Sequence, residues 1–392
     1  MYLLTNESNS PTNNASMKIK QMLKLICLSA PLLVASAMAA AGPLEQAKRM
    51  HDRLAGVPGT TAVIQQMADL IDAGDARGAA QIAMQSPSFY NITVKNWVTP
   101  WTNEEFDVFA PLNDYTATVI GMVRDDVDFR QVLSGDILYV ADSSAGVPAY
   151  STNNNNHYEA LEGEGADLSS VLVATTQSSL TGIPAEATAG VMTTRGAAKS
   201  FFKDGTNRAM FRFTLMNHMC ADLEAFKDTS LPPDRIRQDL SRSPGGGRIV
   251  YNAEGQIDPE TQLRVQAKYW INSNNFPFGY VTPNDNWDNY WREGQNQTIG
   301  WSSELPGSGS GAKSMGQELA NSQTFASCQV TKVFKNVCLR APNSWVTTTT
   351  LKTCLPLLQT TARENRTCLI QLHIRFCNQY QSTLLTSNLQ PF

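Results

Sequence analysis

The residues whose types invite chemistry sit in two short runs. "LMNHMCADLEAF" carries His218, Met219 and Cys220, and "ASCQVTKVFKNVC" carries Cys328 and Cys338. Thiols can bridge, ligate or attack, and an imidazole or thioether can hold a haem iron. Spacing limits each option. His218 and Cys220 are two apart, so on a helix they point in different directions and form a weak metal pair. Cys328 and Cys338 are ten apart on a predicted helix, a rise of about 15 Å. A disulfide needs Cα atoms within about 7 Å, so this pair cannot close on an unbroken helix. One of the two is expected to pair with Cys220, and the odd thiol needs a partner near the authentic C-terminus. Of the seven cysteines, Cys27 lies in a leader and Cys354, Cys368 and Cys377 lie in an anomalous tail.

Other chemistry finds little footing. His51, His157, His218 and His373 show no ligand spacing, and the chain has no CxxCH, HExxH, GxSxG or Walker loop. "PGGGR", residues 244–248, is not followed by Lys-Ser/Thr, so it is no phosphate cradle. Asp285, Asp288 and Glu293 are the candidate acids beside the tryptophan-rich stretch, and they read as solvated loop acids rather than a glycosidase pair. His157, in "STNNNNHYEALEGEGADL", reads as a solvated loop histidine. His218 and Met219 are the only buried candidates for a noncovalent haem ligand, and a core histidine is the plainer reading of the first. No catalytic residue and no metal site is assigned, and no cofactor is implied by these residues.

Helices must position these groups. "PLEQAKRMHDRLAG", "TTAVIQQMADLIDAG" and "DARGAAQIAMQS" predict a packed N-terminal bundle, with Val63, Met67, Leu70 and Ile71 on one stripe and Asp75 as an N-cap. Phe89, Tyr90, Trp97 and Trp101 read as a core wall. "DYTATVIGMVRDDVDFRQVLSGDILYV" reads as one or two helices turning at Asp125-Asp126. Phe211, Leu215, Met219 and Leu223 recur every four residues and predict one helical face. "GQELANSQTFASCQVTKVFKNVCLRAP" reads as a single helix carrying Val330, Val333, Phe334 and Val337. Trp270, Trp287, Trp291 and Trp301 are expected to pack irregular structure. The expected class is mainly α: a helical bundle with long irregular aromatic- and Asn-rich loops. The expected map is an over-called start (1–16), a signal peptide (17–39), an N-terminal helical region (40–140), a loop-rich linker (141–190), a C-terminal helical module (191–344) and a suspect tail (345–392).

The tail changes character after Ser344. It holds no Asp, one Glu and three Cys. Read one base earlier, Trp-Val-Thr-Thr-Thr-Thr becomes Leu/Met/Val, Gly and four codons of form NAC, which encode Asp, Asn, His or Tyr. "VGDDNN" is one such reading, so the tail is expected to be a shifted frame.

The bulk numbers point outward from the cytoplasm. The chain has 392 residues, a formal charge of −4 and only 17% charged residues, against about 25% in typical domains. That balance gives no reason to expect nucleic acid. Lys18, Lys20 and Lys24 precede an apolar run from Leu25 to Val34 and a small-x-small site at Ala37-Met38-Ala39. This is the pattern of a secretory signal, too short to span a bilayer. The mature chain is expected to start near Ala40 or Gly42, with no transmembrane segment, and to be periplasmic or secreted.

The segments "TTRGAAKSFFKDGTNRAMFRFTLMNHMCADLEAF", "PPDRIRQDLSRSPGG", "WDNYWREGQNQTIGWSS" and "SQTFASCQVTKVFKNVCLRAP" resemble the cytochrome-c-associated modules of planctomycete-type secreted proteins. The resemblance covers roughly residues 85–342. It implies electron transfer and covalent haem c in the relatives, which continue after Pro-Gly-Gly into Cys-x-x-Cys-His. Here Gly246 runs into "GRIVYNAEGQIDPE", so the haem segment itself is missing. The resemblance thus implies an exported, haem-linked protein without its own haem site, with an envelope or redox protein as partner. A binding or scaffold protein of the cell envelope, without catalysis, is the alternative, and a polysaccharide hydrolase is the third.

Overall fold

In a computed structural model the fold is mainly α; it describes residues 42–201, 207–226 and 286–342. The leader, the "PGGGR" stretch, Asp285, Trp270 and the tail from residue 343 lie outside the described residues. Among the described residues no helix is long and apolar enough to cross a membrane.

The N-terminal helices form as their punctuation predicts. α1 (Pro43–Leu54) opens on proline, whose missing N–H costs nothing in a first turn. α2 (Thr61–Asp72) is capped by the Thr60 hydroxyl, and α3 (Ala76–Met84) by Asp75, which accepts from the Gly78 N–H at 2.8 Å. Met67 is fully buried, with Val63, Leu70 and Ile71 packed at the margin of the core. Ala47, Ala79, Ala80 and Ala83 are fully buried, and their small side chains let the three helices pack closely.

The aromatic stretch builds the core wall. A π-helical segment (Phe89–Val94) runs into α4 (Lys95–Val98) and a 3-10 turn (Thr99–Thr102). Phe89, Tyr90 and Trp101 are buried, and Trp97 meets Trp101 edge to face at 4.8 Å. α5 (Asp114–Arg124) passes through the centre, buried from Asp114 to Met122. Gly121 is required there, because a Cβ at that position would lie 2.1 Å from the Tyr139 ring. The Asp114 carboxylate accepts from the N–H groups of Tyr115, Arg195 and Gly196. This ties α5 to the start of α9 (Arg195–Phe201). Burial nonetheless raises the Asp114 pKa, outweighing these donors.

Four local expectations are corrected. Residues 138–140, read as helix, lie in β1 (Leu138–Ala141), which pairs antiparallel with β2 (Leu172–Thr175), Leu138 opposite Thr175. The Asn-rich stretch read as surface loop holds α6 (Asn156–Gly163), α7 (Leu168–Val171) and, after β2, α8 (Gln177–Thr181). His157 is buried rather than solvated, its Nε2 accepting the Ala141 N–H at 2.9 Å and its Nδ1 2.6 Å from the Pro148 carbonyl. The long C-terminal helix is two. After α10 (Asn207–His218), β3 (Asn286–Asp288) pairs with β4 (Ser308–Ser310), and α11 (Gly311–Ala320) precedes α12 (Gln323–Cys338). The break is chemical: the Ser322 hydroxyl turns back to cap the Phe325 N–H and so starts a new helix. Gly316 brings α11 against the 3-10 turn Phe129–Leu133, since a Cβ there would sit 1.6 Å from the Leu133 oxygen.

Candidate functional site

The residues singled out for chemistry converge on the C-terminal end of α10. The predicted stripe does not run as one helix, because α10 stops at His218 and Leu223 lies in a separate 3-10 turn (Leu223–Phe226). Cys220 has a left-handed backbone, φ 53°, which no helix interior allows. Leu215 and Met219 are buried, while Phe211 packs at the core margin against Trp291.

A helix end leaves its last carbonyls without partners. Here α12 supplies them from far along the chain. The Gln329 amide donates to the His218 carbonyl at 3.1 Å, and the Lys332 amine donates to the Asn217 carbonyl. A lysine suits the negative end of a helix dipole. On the same helix, Cys328 is bridged to Cys220, with Cα atoms 5.3 Å apart. Cys328, Gln329 and Lys332 fall on one face of α12 by helical spacing. Together they clamp one helix across the end of the other. Cys338, the third disulfide candidate, is the last residue of α12 and takes no part in this bridge.

Beneath the clamp lies His218, fully buried. Its Nε2 is 2.8 Å from the Tyr115 hydroxyl on α5. Its ring stacks near Tyr115 and Phe325 and meets Trp101 edge-on, with centroids 5.8–6.5 Å apart. The Lys332 amine lies 3.3 Å from the centroid of Trp101, within cation–π range. The Asn217 amide donates to the Trp101 carbonyl at 2.9 Å. Nδ1 of His218 and Oε1 of Gln329 are both buried without a hydrogen-bond partner.

Electrostatics follow from this enclosure. Burial holds the His218 pKa well below its ordinary value, and the neighbouring Lys332 pushes it further down. Burial likewise pulls the Lys332 amine well below the lysine range. The Tyr115 hydroxyl is driven upward by burial, so it stays protonated. The cluster is built to stay uncharged on the imidazole.

Neither His218 nor Met219 fits the role of axial ligand to haem. His218 Nε2 is engaged by Tyr115, and a fully buried ring packed against Trp101, Tyr115 and Phe325 offers no face to a macrocycle. The Met219 sulfur is buried against Ser322, whose hydroxyl lies 3.6 Å away. Among the described residues no group of three or more His, Cys, Asp or Glu could hold a metal ion.

The tryptophans of the 286–301 region act as packing. Trp291 stacks on Phe226 at 4.9 Å, Trp301 donates to the Trp291 carbonyl, and Trp287 donates to Ser314. Asp288 and Glu293 are both exposed. The ionic contact of this region is Arg292 with Glu318, at 2.7 and 2.9 Å, the carboxylate nearly fully buried.

Lys332, Gln329 and Tyr115 were not picked out by their sequence context, and Trp101 was read only as core wall. The one available signal is Lys332 at i+4 from Cys328, which puts a cation on the face that carries the thiol. No protein-family profile, no curated protein and no solved structure matches this chain.

Proposed function

We propose that this chain is an exported envelope protein of the cytochrome-c-associated kind, in which the haem-bearing segment is gone and the helical frame serves as a docking module for a redox or envelope protein. The observation that carries the reading is the Cys220–Cys328 disulfide. Such bonds persist in oxidising compartments and are rare in a reducing cytosol. The two segments it joins, "NRAMFRFTLMNHMC" and "SQTFASCQVTKVFKNVC", are also two of those that carry the resemblance. His218 and Met219 serve here as packing, consistent with a module that works beside haem rather than on it.

The test is expression in an export host equipped for cytochrome c maturation. The expected product starts near Ala40 or Gly42, carries Cys220 and Cys328 as a disulfide, and shows no peroxidase-active band after denaturing electrophoresis. Cytoplasmic protein with an intact Met1 and reduced thiols overturns the export reading. A haem band on the gel overturns the claim about haem.

A second reading, an envelope binding or scaffold protein without any redox link, draws on the loop Phe106–Phe109. Phe109 is 88% exposed, beside exposed Phe106 and Val108. Clustered exposed apolar side chains are a mark of contact surfaces. Co-purification of haem proteins with the exported chain favours the first reading; its absence, with retained binding to other envelope components, favours the second.

A further inference from the structure

The two sulfurs of the clamp live in different surroundings. Cys220 is exposed, in a turn just past the end of α10, whereas Cys328 is 3% exposed on α12. An attacking thiolate must reach a sulfur along the S–S axis, so access decides which sulfur is attacked and which leaves. Here attack falls on Cys220, and Cys328 is the leaving group. One turn beyond Cys328 on the same face stands Lys332, with its amine directed to the Asn217 carbonyl and the Trp101 face.

The clamp does not rest on the bond alone. Gln329 donates to the His218 carbonyl and Lys332 to the Asn217 carbonyl. Leu215, Phe325 and Val330 are buried around the junction. Beside Cys220, Asp222 is neutralised by a two-point pairing with Arg212 at 2.6 and 2.9 Å. That pairing limits the repulsion that a lone carboxylate would exert on an anionic thiolate.

We propose that Cys220–Cys328 is an exchange-active disulfide, opened in the folded protein by a dithiol that attacks Cys220. The attacking thiolate's electron pair forms a bond to Cys220 Sγ, the S–S bond breaks, and Cys328 Sγ departs as a thiolate. The dithiol's second thiolate then attacks its own sulfur in the mixed disulfide and releases Cys220. The net change is two-electron reduction of the protein disulfide and oxidation of the dithiol to a cyclic disulfide. This goes beyond the docking role proposed above and does not depend on haem.

Dithiothreitol is the probe, with purified oxidised protein under native conditions. Thiols are trapped by maleimide and counted by gel shift and mass spectrometry, while near-ultraviolet circular dichroism follows the fold. The expected reduction rate is linear in dithiothreitol and exceeds the global unfolding rate, with the native signal retained. Glutathione in place of dithiothreitol is expected to leave its adduct on Cys220. A rate that plateaus at the unfolding rate, or an adduct on Cys328, overturns the proposal. Both measurements use the wild-type chain, so neither depends on a variant folding.

Discussion

The Tyr115 hydroxyl and the His218 Nε2 lie 2.8 Å apart although 103 residues separate them in sequence, and both rings are fully buried. The tyrosine stays protonated, so the pair shares one proton between two neutral groups. Whichever tautomer holds, Nδ1 is left without a partner. An orphaned buried nitrogen costs about 1–3 kcal/mol, which the surrounding packing must offset.

That pair makes stability depend on pH. His218 has its folded pKa held below the unfolded value, so the unfolded chain binds the extra proton first. Stability is therefore present above the unfolded pKa near 6.5 and is lost as pH falls from there toward the folded pKa. The loss has a limit of about 1.4 kcal/mol per pH unit for one group. Urea unfolding at several pH values between 5 and 7.5 is expected to show this slope in the wild type and a shallower one in His218→Gln. Equal slopes would refute the assignment.

Lys332 acts at the other end of the scale. Its folded pKa is pulled below that of an unfolded lysine, so its contribution to stability grows as pH rises from the folded pKa toward 10.5. Lys332→Met is expected to flatten the alkaline limb of the stability profile. It also removes a cap from the Asn217 carbonyl, so a loss of about 1 kcal/mol is expected even where the slope is flat.

Removing the bridge tests how much it holds. Cys220 and Cys328 are 108 residues apart in sequence, and closing a loop of that size is worth about 4–5 kcal/mol by chain entropy. The double variant Cys220→Ala/Cys328→Ala is expected to lose about 2–5 kcal/mol in denaturant unfolding. Its far-ultraviolet spectrum is expected to stay helical.

Gly316→Ala is expected to be among the most damaging small changes in the chain. Its Cβ would sit 1.6 Å from the Leu133 oxygen, a backbone atom that cannot rotate away. Separating α11 from the Phe129–Leu133 turn is expected to cost about 3 kcal/mol or more, read as a lowered midpoint of thermal unfolding.

Glu318 is 2% exposed and takes two bonds from Arg292 and one from Asn289. Arg292→Ala leaves that carboxylate buried without its cation and is expected to cost about 3–5 kcal/mol. Arg292→Ala/Glu318→Leu is expected to recover much of the loss, because the uncompensated charge is gone. A double-mutant cycle measures the coupling.

What the sequence made legible was local. Asp75 as a cap, the buried Met67 and the aromatic wall from Phe89 to Trp101 each rest on signals within a few residues. The split at Ser322 was also local, a helix-capping residue inside an apolar pattern, and the apolar stripe masked it. His157 was different. Its partners, the Ala141 N–H and the Pro148 carbonyl, belong to a strand and a loop that only the tertiary fold brings together, so an Asn-rich context pointed to solvent. The same is true of the candidate site. Residue types flagged His218, Cys220 and Cys328, but Lys332 and Gln329 acquire meaning only where α12 crosses the end of α10.

The clamp also sets a timetable. The Asn217 carbonyl is bonded by a residue 115 positions later and the His218 carbonyl by one 111 later. At ribosomal speeds of about 5–20 residues per second, the end of α10 waits roughly 6–23 seconds before its partners exist. Through that interval Tyr115 and Trp101 are already made, but Phe325 and the cover of α12 are not. A newborn chain must carry the unfinished end of that helix while more than a hundred further residues are made. Whatever shields it then, a chaperone or slow emergence into the compartment where it folds, is part of how this protein reaches its native state.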